Sequence, residues 1–86
     1  MKELTNLPNI GKTLAQKLKM IGVNNEQELK AMGSEKAIIK IATLEDGGDC
    51  INMLYALEGA IQGIRWHNLS KERKQELLEF YRQFCI

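Results

Sequence analysis

The run "CINMLYALEGAIQGI", residues 50–64, constrains the fold more than any other part of this 86-residue chain. Cys50, Met53, Leu54, Leu57, Ile61 and Ile64 fall on one side of a helical wheel drawn at about 100° per residue. Beside them runs a second stripe of small residues, Ala56, Ala60 and Gly63. Small side chains let a neighbouring helix backbone approach closely, so two adjacent faces of this helix can be packed. A helix with two packable faces belongs in the middle of a fold, and the run predicts a central helix flanked by others.

The rest of the chain supplies those neighbours. Leu7, Ile10, Leu14, Leu18 and Ile21 recur every three or four residues, with Lys12, Gln16 and Lys19 on the other side. Gly22 stands where a helix end wants a left-handed residue. Asn25 followed by Glu28 reads as a capping box, opening a short helix that buries Leu29 and Met32 and stops near Gly33. Ser34 is expected to cap the next helix, with Ala37, Ile38, Ile41 and Leu44 inward. The stretch "EDGGDC" then breaks the chain, and Asp49 is placed to cap the central helix. A last helix opens at Ser70 and turns Leu77, Leu78, Tyr81 and Phe84 inward. No stretch alternates with period two, so the expected class is all-α, a compact bundle of about five helices. Without linkers, low-complexity segments, charge blocks or internal repeats, residues 1–86 read as one domain.

Several function classes are disfavoured. A net charge of +1 gives no global field to steer the molecule onto nucleic acid or an anionic surface, so any basic footprint must be local. No apolar run approaches the roughly 18 residues of a membrane span, and no membrane partner is expected. Cys50 and Cys85 lie far apart with no CxxC pair, which points to free thiols and a cytoplasmic protein; a single Cys50–Cys85 bridge is the alternative. His67 has no companion at metal-ligand spacing and reads as an exposed turn residue after Trp66. Ser34 and Ser70 offer caps rather than nucleophiles, and Cys50 reads as a small core hydrophobe. Glu58 borders the apolar face between Leu54 and Ile61, where a half-buried carboxylate is expected to accept hydrogen bonds from loop amides or to pair with a cation. A lone structural carboxylate does not make an acid–base site. The expectation is a non-enzymatic domain with no cofactor, no metal and no small-molecule substrate.

One stretch bears on binding. In "LPNIGKTLAQKLKMIGV", residues 7–23, Pro8 fixes φ, Asn9 tolerates the left-handed region, and Gly11 removes the Cβ where the helix begins. The amides of Gly11, Lys12 and Thr13 could then meet a phosphate, with Lys12 and Lys17 adding charge. This resembles the hairpin and second helix of a helix–hairpin–helix motif, with Asn9 in place of the usual first glycine and a missing or stunted first helix. The same residues serve equally as a turn that seats Leu7 and Ile10 in the core. Asn9, Gly11, Lys12, Thr13 and Lys17 are the candidate nucleic-acid contacts, with weak, non-specific double-stranded DNA as the ligand.

The order of segments extends the resemblance. The hairpin is followed by "IGVNNEQELKAMGSEKAIIKI" and "NMLYALEGAIQGIRWHNLSKERKQELL". Over roughly residues 4–80, and most specifically from Leu54 through Trp66, the chain resembles the C-terminal domain of the TfoX (Sxy) competence regulators. Those regulators usually carry a further N-terminal domain. The resemblance implies a small bacterial all-α domain related to helix–hairpin–helix and SAM-like folds, without catalytic residues. It also implies a link to transcriptional control of DNA uptake.

A second class of function stays open beside nucleic-acid binding. In "YALEGAIQGIRW", Gly59 and Gly63 are expected to keep the outer surface low beside Tyr55 and Trp66. Either the last helix packs over the glycines with Trp66 covering the core, or a partner's helix docks there with Tyr55 or Trp66 as anchor. Tyr55, Gly59, Gly63 and Trp66 are therefore the candidate contacts of a protein-interaction or self-association module. Near-neutral net charge favours this class. The local excess of Lys2, Lys12, Lys17 and Lys19 over Glu3 favours the first.

Overall fold

Leu4, Leu7 and Ile10 are all buried before the first α-helix begins. In this computed structural model, which describes residues 3–44 and 51–84, a short 3-10 turn at Leu4–Asn6 precedes the hairpin. It is the stunted counterpart of a first hairpin helix. Five α-helices follow: α1 (Lys12–Met20), α2 (Glu26–Met32), α3 (Ser34–Leu44), α4 (Ile51–Gln62) and α5 (Lys71–Phe84). A second 3-10 turn, Trp66–Asn68, joins α4 to α5. The described residues contain no strand, and the fold is an all-α bundle. Asp49, Cys50, Cys85 and the "EDGGDC" break lie outside the described residues.

The central helix is central. α4 packs against α3 and α5, with α2 and the second 3-10 turn at its flanks, while α1 rests on α3. Leu54, Leu57 and Ala60 are fully buried, joined by Leu18, Leu29, Ile38, Ile41 and Leu77 from the other four helices. Three expected core residues are not in the core: Leu44 is 51% and Phe84 57% exposed, and half-buried Leu78 is not packed against it. Leu44 and Phe84 are each the last described apolar residue of their helix, one turn beyond the packed segment. Phe84 packs instead against Phe80, ring centroids 4.8 Å apart and planes tilted by 42°.

Local chemistry sets the helix limits. Asn25 Oδ1 accepts from Glu28 N–H at 2.9 Å, and the Glu28 carboxylate accepts from Asn24 N–H at 2.7 Å, one residue earlier than in the usual reciprocal box. Ser70 Oγ accepts from Arg73 N–H at 3.1 Å and caps α5. α1 and α4 both close in Schellman fashion. Val23 N–H reaches Leu18 O and Gly22 N–H reaches Lys19 O; Ile64 N–H reaches Gly59 O and Gly63 N–H reaches Ala60 O. Gly63 adopts φ +77° for this purpose and is exposed, so it terminates α4 rather than extending its small-residue packing stripe.

Ser34 departs from expectation as well. It is the first residue of α3, is 2% exposed, and its hydroxyl donates to Glu58 Oε1 at 2.7 Å. It ties α3 to α4 instead of capping its own helix.

Candidate nucleic-acid interface

The hairpin turns on Pro8 and Asn9. Ile10 N–H reaches back to Leu7 O at 3.4 Å, and Asn9 sits at φ +70°. Proline second and a left-handed residue third is the pattern of a type II turn, and asparagine tolerates that third position best after glycine. Leu7 and Ile10 point into the core on either side, so the turn is anchored from below.

Asn9 has a second task. Its Nδ2 donates to Ile64 O at 2.9 Å and, at the longer distance of 3.5 Å, to Ala56 O. Its Oδ1 accepts from Trp66 N–H at 3.1 Å. The side chain therefore locks the hairpin onto the end of α4. Among the five candidate contacts, Asn9 faces inward and is consumed by the fold.

The other four stand at the outer rim. Gly11, Lys12 and Thr13 are exposed and Lys17 is half-buried one turn further along α1. Gly11 is the N-cap of α1 and has no side chain to satisfy the first amides, and no acidic residue occupies the first turn. A Cβ built at Gly11 would meet nothing within 4 Å, and its φ of −95° is open to any residue. Neither packing nor backbone conformation requires a glycine there. The space above the helix end is open, next to the Lys12 side chain and the positive end of α1.

The TfoX C-terminal domain profile matches residues 1–81 of the 86. The chain belongs to the TfoX C-terminal domain family. Two crystal structures of Listeria monocytogenes proteins are similar to it. One, in a triclinic form, is described as an uncharacterized protein, with 47% identity, 94% of this chain and 91% of that one covered, and a TM-score of 0.90. The other, in a tetragonal form, is described as a protein of unknown function, with 47% identity, 94% and 99% coverage, and a TM-score of 0.89. No curated protein matches the chain. Neither the family description nor these neighbours name a catalytic activity.

In this TfoX C-terminal domain the glycine groove is filled from within. Gly59 is buried, and a Cβ there would lie 2.5 Å from Asn9 Nδ2, 2.8 Å from Ile64 O and 3.2 Å from Trp66 Cα. The low surface at Gly59 seats the hairpin's asparagine, leaving no room above it for α5 or a partner's helix. Gly63 lies on the exposed Schellman turn. Tyr55 and Trp66, both half-buried, stack on each other at 6.0 Å with nearly parallel rings. His67 is exposed, as expected of a turn residue, and its ring lies 4.0 Å from that of Trp66.

The carboxylate of Glu58 belongs to a polar cluster that ties three helices of the TfoX C-terminal domain together. It accepts from Ser34 at 2.7 Å, from Gln62 Nε2 at 2.7 Å and from Arg73 Nη2 at 3.1 Å. Arg73 also reaches Glu35 and Glu76, each at 3.1 Å. Burial pushes the Glu58 carboxyl up, but the hydrogen bonds from Arg73, Ser34 and Gln62 outweigh it and hold the group below the ordinary glutamate range. The bond to Glu58 in turn pushes Arg73 above the usual arginine value, against the effect of its own partial burial. With both oxygens engaged, this carboxylate holds α3, α4 and α5 in register. A cation was one of two kinds of partner the sequence offered for Glu58; the other, loop amides, gave way to the side chains of Ser34 and Gln62, and the cation's identity as Arg73, 15 residues away on another helix, was not legible.

Among the described residues no group of three or more His, Cys, Asp or Glu side chains could hold a metal ion. No described helix is long and apolar enough to cross a membrane.

Proposed function

We propose that this domain is a non-enzymatic accessory module that contacts nucleic-acid phosphates weakly and without sequence preference through the start of α1. Gly11 carries the reading: the fold places no demand for glycine there, yet its bare Cα leaves an uncapped, lysine-flanked helix end open to solvent. Backbone amides and partial positive charge at such an end suit an anionic oxygen. Lys12 supplies a full charge beside it, and Lys17 is one turn away. Asn9 supports the reading indirectly, because a hairpin locked to α4 presents these amides without further ordering cost. A role in transcriptional control of DNA uptake fits the family's association with competence regulators.

Fluorescence anisotropy with a short labelled duplex, at low and at physiological salt, tests it. Contact with two or three phosphates predicts a slope near −2 in log K against log salt and a Kd of about 10⁻⁴–10⁻⁶ M. Lys12→Glu weakens binding to every duplex alike. Absence of binding at low salt, or binding indifferent to Lys12→Glu, refutes the reading.

A protein-interaction role draws on a different surface from the glycine groove. Met20, 59% exposed, and Leu44 line a shallow groove of about 310 Å³ with Ile21, Lys40 and Thr43. Self-association through it predicts a molar mass that rises with concentration and stays monomeric in Leu44→Asp. A mass independent of concentration removes this alternative.

A further inference from the structure

We infer that the face joined to the hairpin through Asn9, formed by Arg65, the Trp66–His67 ring pair and Lys74, receives an unpaired base of single-stranded nucleic acid. The inference rests on the phosphate-contact reading of α1 and extends it to a class of ligand.

The two surfaces are neighbours by construction of the fold. Asn9 bonds Ile64 O and Trp66 N–H, so Arg65, between them, is held against the turn whose far side is Gly11. From Asn9 to Lys12 is three Cα steps, at most about 11 Å. Asn9 therefore brings the start of α1 close to the second 3-10 turn.

That turn presents rings and cations together. Trp66 stacks with two rings, with Tyr55 at 6.0 Å and 13° and with His67 at 4.0 Å and 27°. His67 is exposed and adds nothing to the core. Lys74 Nζ lies 5.6 Å from the Trp66 ring centre and donates to His67 O at 3.4 Å. Arg65 and Lys71 are exposed, and neither has a side-chain partner among the described residues. Between Arg65 and Lys74 the single acidic residue is Glu72.

The backbone under these rings is fixed. Asn68 N–H reaches Arg65 O at 2.9 Å, Leu69 N–H reaches Trp66 O at 3.1 Å, and Asn9 holds Trp66 N–H. A pre-ordered aromatic face flanked by cations is the arrangement on which bases stack while their phosphates are neutralised. Every base has a π face, so such a site reads no sequence, in keeping with the hairpin. Inside a duplex both faces of each base are already covered, so the ring pair favours single strands, whereas the start of α1 serves both.

The test titrates the intact domain with oligo-dT, oligo-U and a blunt duplex of equal length at one low salt concentration. Trp66, the sole tryptophan, reports through its emission. Both single strands, or one if the sugar matters, are expected to bind at least about fivefold more tightly than the duplex, the lower end of what base–aromatic stacking commands. They are also expected to change Trp66 emission where the duplex does not. His67→Ala, at an exposed side chain, lowers single-strand affinity to that for the duplex with the melting temperature unchanged, and Lys12→Glu weakens all three ligands. Equal affinity for single strand and duplex, unaltered Trp66 emission at saturation, or no effect of His67→Ala overturns the base site while leaving the hairpin reading intact. Failure of all three ligands to bind overturns both.

Discussion

The side-chain oxygen of Asn9 accepts a hydrogen bond from the backbone N–H of Trp66 at 3.1 Å, across 57 residues of chain. The same side chain donates to Ile64 O, so one residue of the hairpin satisfies a donor and an acceptor left over where α4 ends. It reaches them from a backbone at φ +70°, and conformation and contact must therefore be separated experimentally.

Asn9→Gly keeps the left-handed backbone and loses the bonds; Asn9→Ala loses both. Two hydrogen bonds of ordinary worth make the glycine variant less stable by about 1–3 kcal/mol. The alanine variant is expected to lose roughly 1 kcal/mol more, the cost of a Cβ in the left-handed region. Urea denaturation of the pair measures the difference, and equal stabilities would mean that the turn stores no conformational preference.

Gly59 and Gly11 are glycines for different reasons, and alanine at each reports them. At Gly59 the new Cβ meets the backbone oxygen of Ile64 at 2.8 Å, which cannot yield as a flexible side chain would. A loss of about 1–3 kcal/mol is expected, the range for overpacking. At Gly11 the Cβ meets open space, so Gly11→Ala costs less than about 1 kcal/mol, through the poorer N-cap alone. Thermal melts of both variants decide the order.

Leu57 and Phe84 test which apolar residues hold the bundle. Leu57 is fully buried, and Leu57→Ala is expected to cost about 2–5 kcal/mol, enough to unfold much of so small a domain. Phe84 is 57% exposed and touches Phe80, so Phe84→Ala costs about 1 kcal/mol at most. Chemical denaturation giving comparable losses would place Phe84 in the core after all.

The Glu58 cluster predicts an acid-side loss of stability. Its carboxyl titrates lower in the folded state than in the unfolded chain, so its contribution is complete above the unfolded value, about 4.3, and is lost as pH falls through the folded one. Glu58→Gln removes this pH dependence. At neutral pH it costs about 1–3 kcal/mol, less than for a fully buried pair because Arg73 keeps Glu35 and remains partly solvated. Melting temperatures of both proteins from pH 3 to 7 would show the curves converging at the acid end; parallel curves would exclude the carboxylate as their cause.

Local physics was legible along the chain. The three- and four-residue spacing of Leu54 and Leu57 marked the central helix because a helix repeats its faces on that period. Gly22, the Asn25–Glu28 pair and Ser70 marked helix limits because a cap is a contact between residues a few positions apart. A left-handed Asn9 was legible because asparagine, after glycine, tolerates that region best. Tertiary packing alone decided which partners those residues took. Ser34 has the chemistry of a cap, yet its hydroxyl serves Glu58, 24 residues away. Gly59 has the look of a groove for a neighbouring helix, yet the side chain of Asn9 occupies it. Leu44 and Phe84 share the period of their helices, yet fall beyond the reach of the core. Periodicity says which side of a helix is apolar; it carries no information on where along that side a neighbour stops. Hydrogen-bond chemistry says which groups need partners; which ones meet is set by the packing of α3, α4, α5 and the hairpin around one small core.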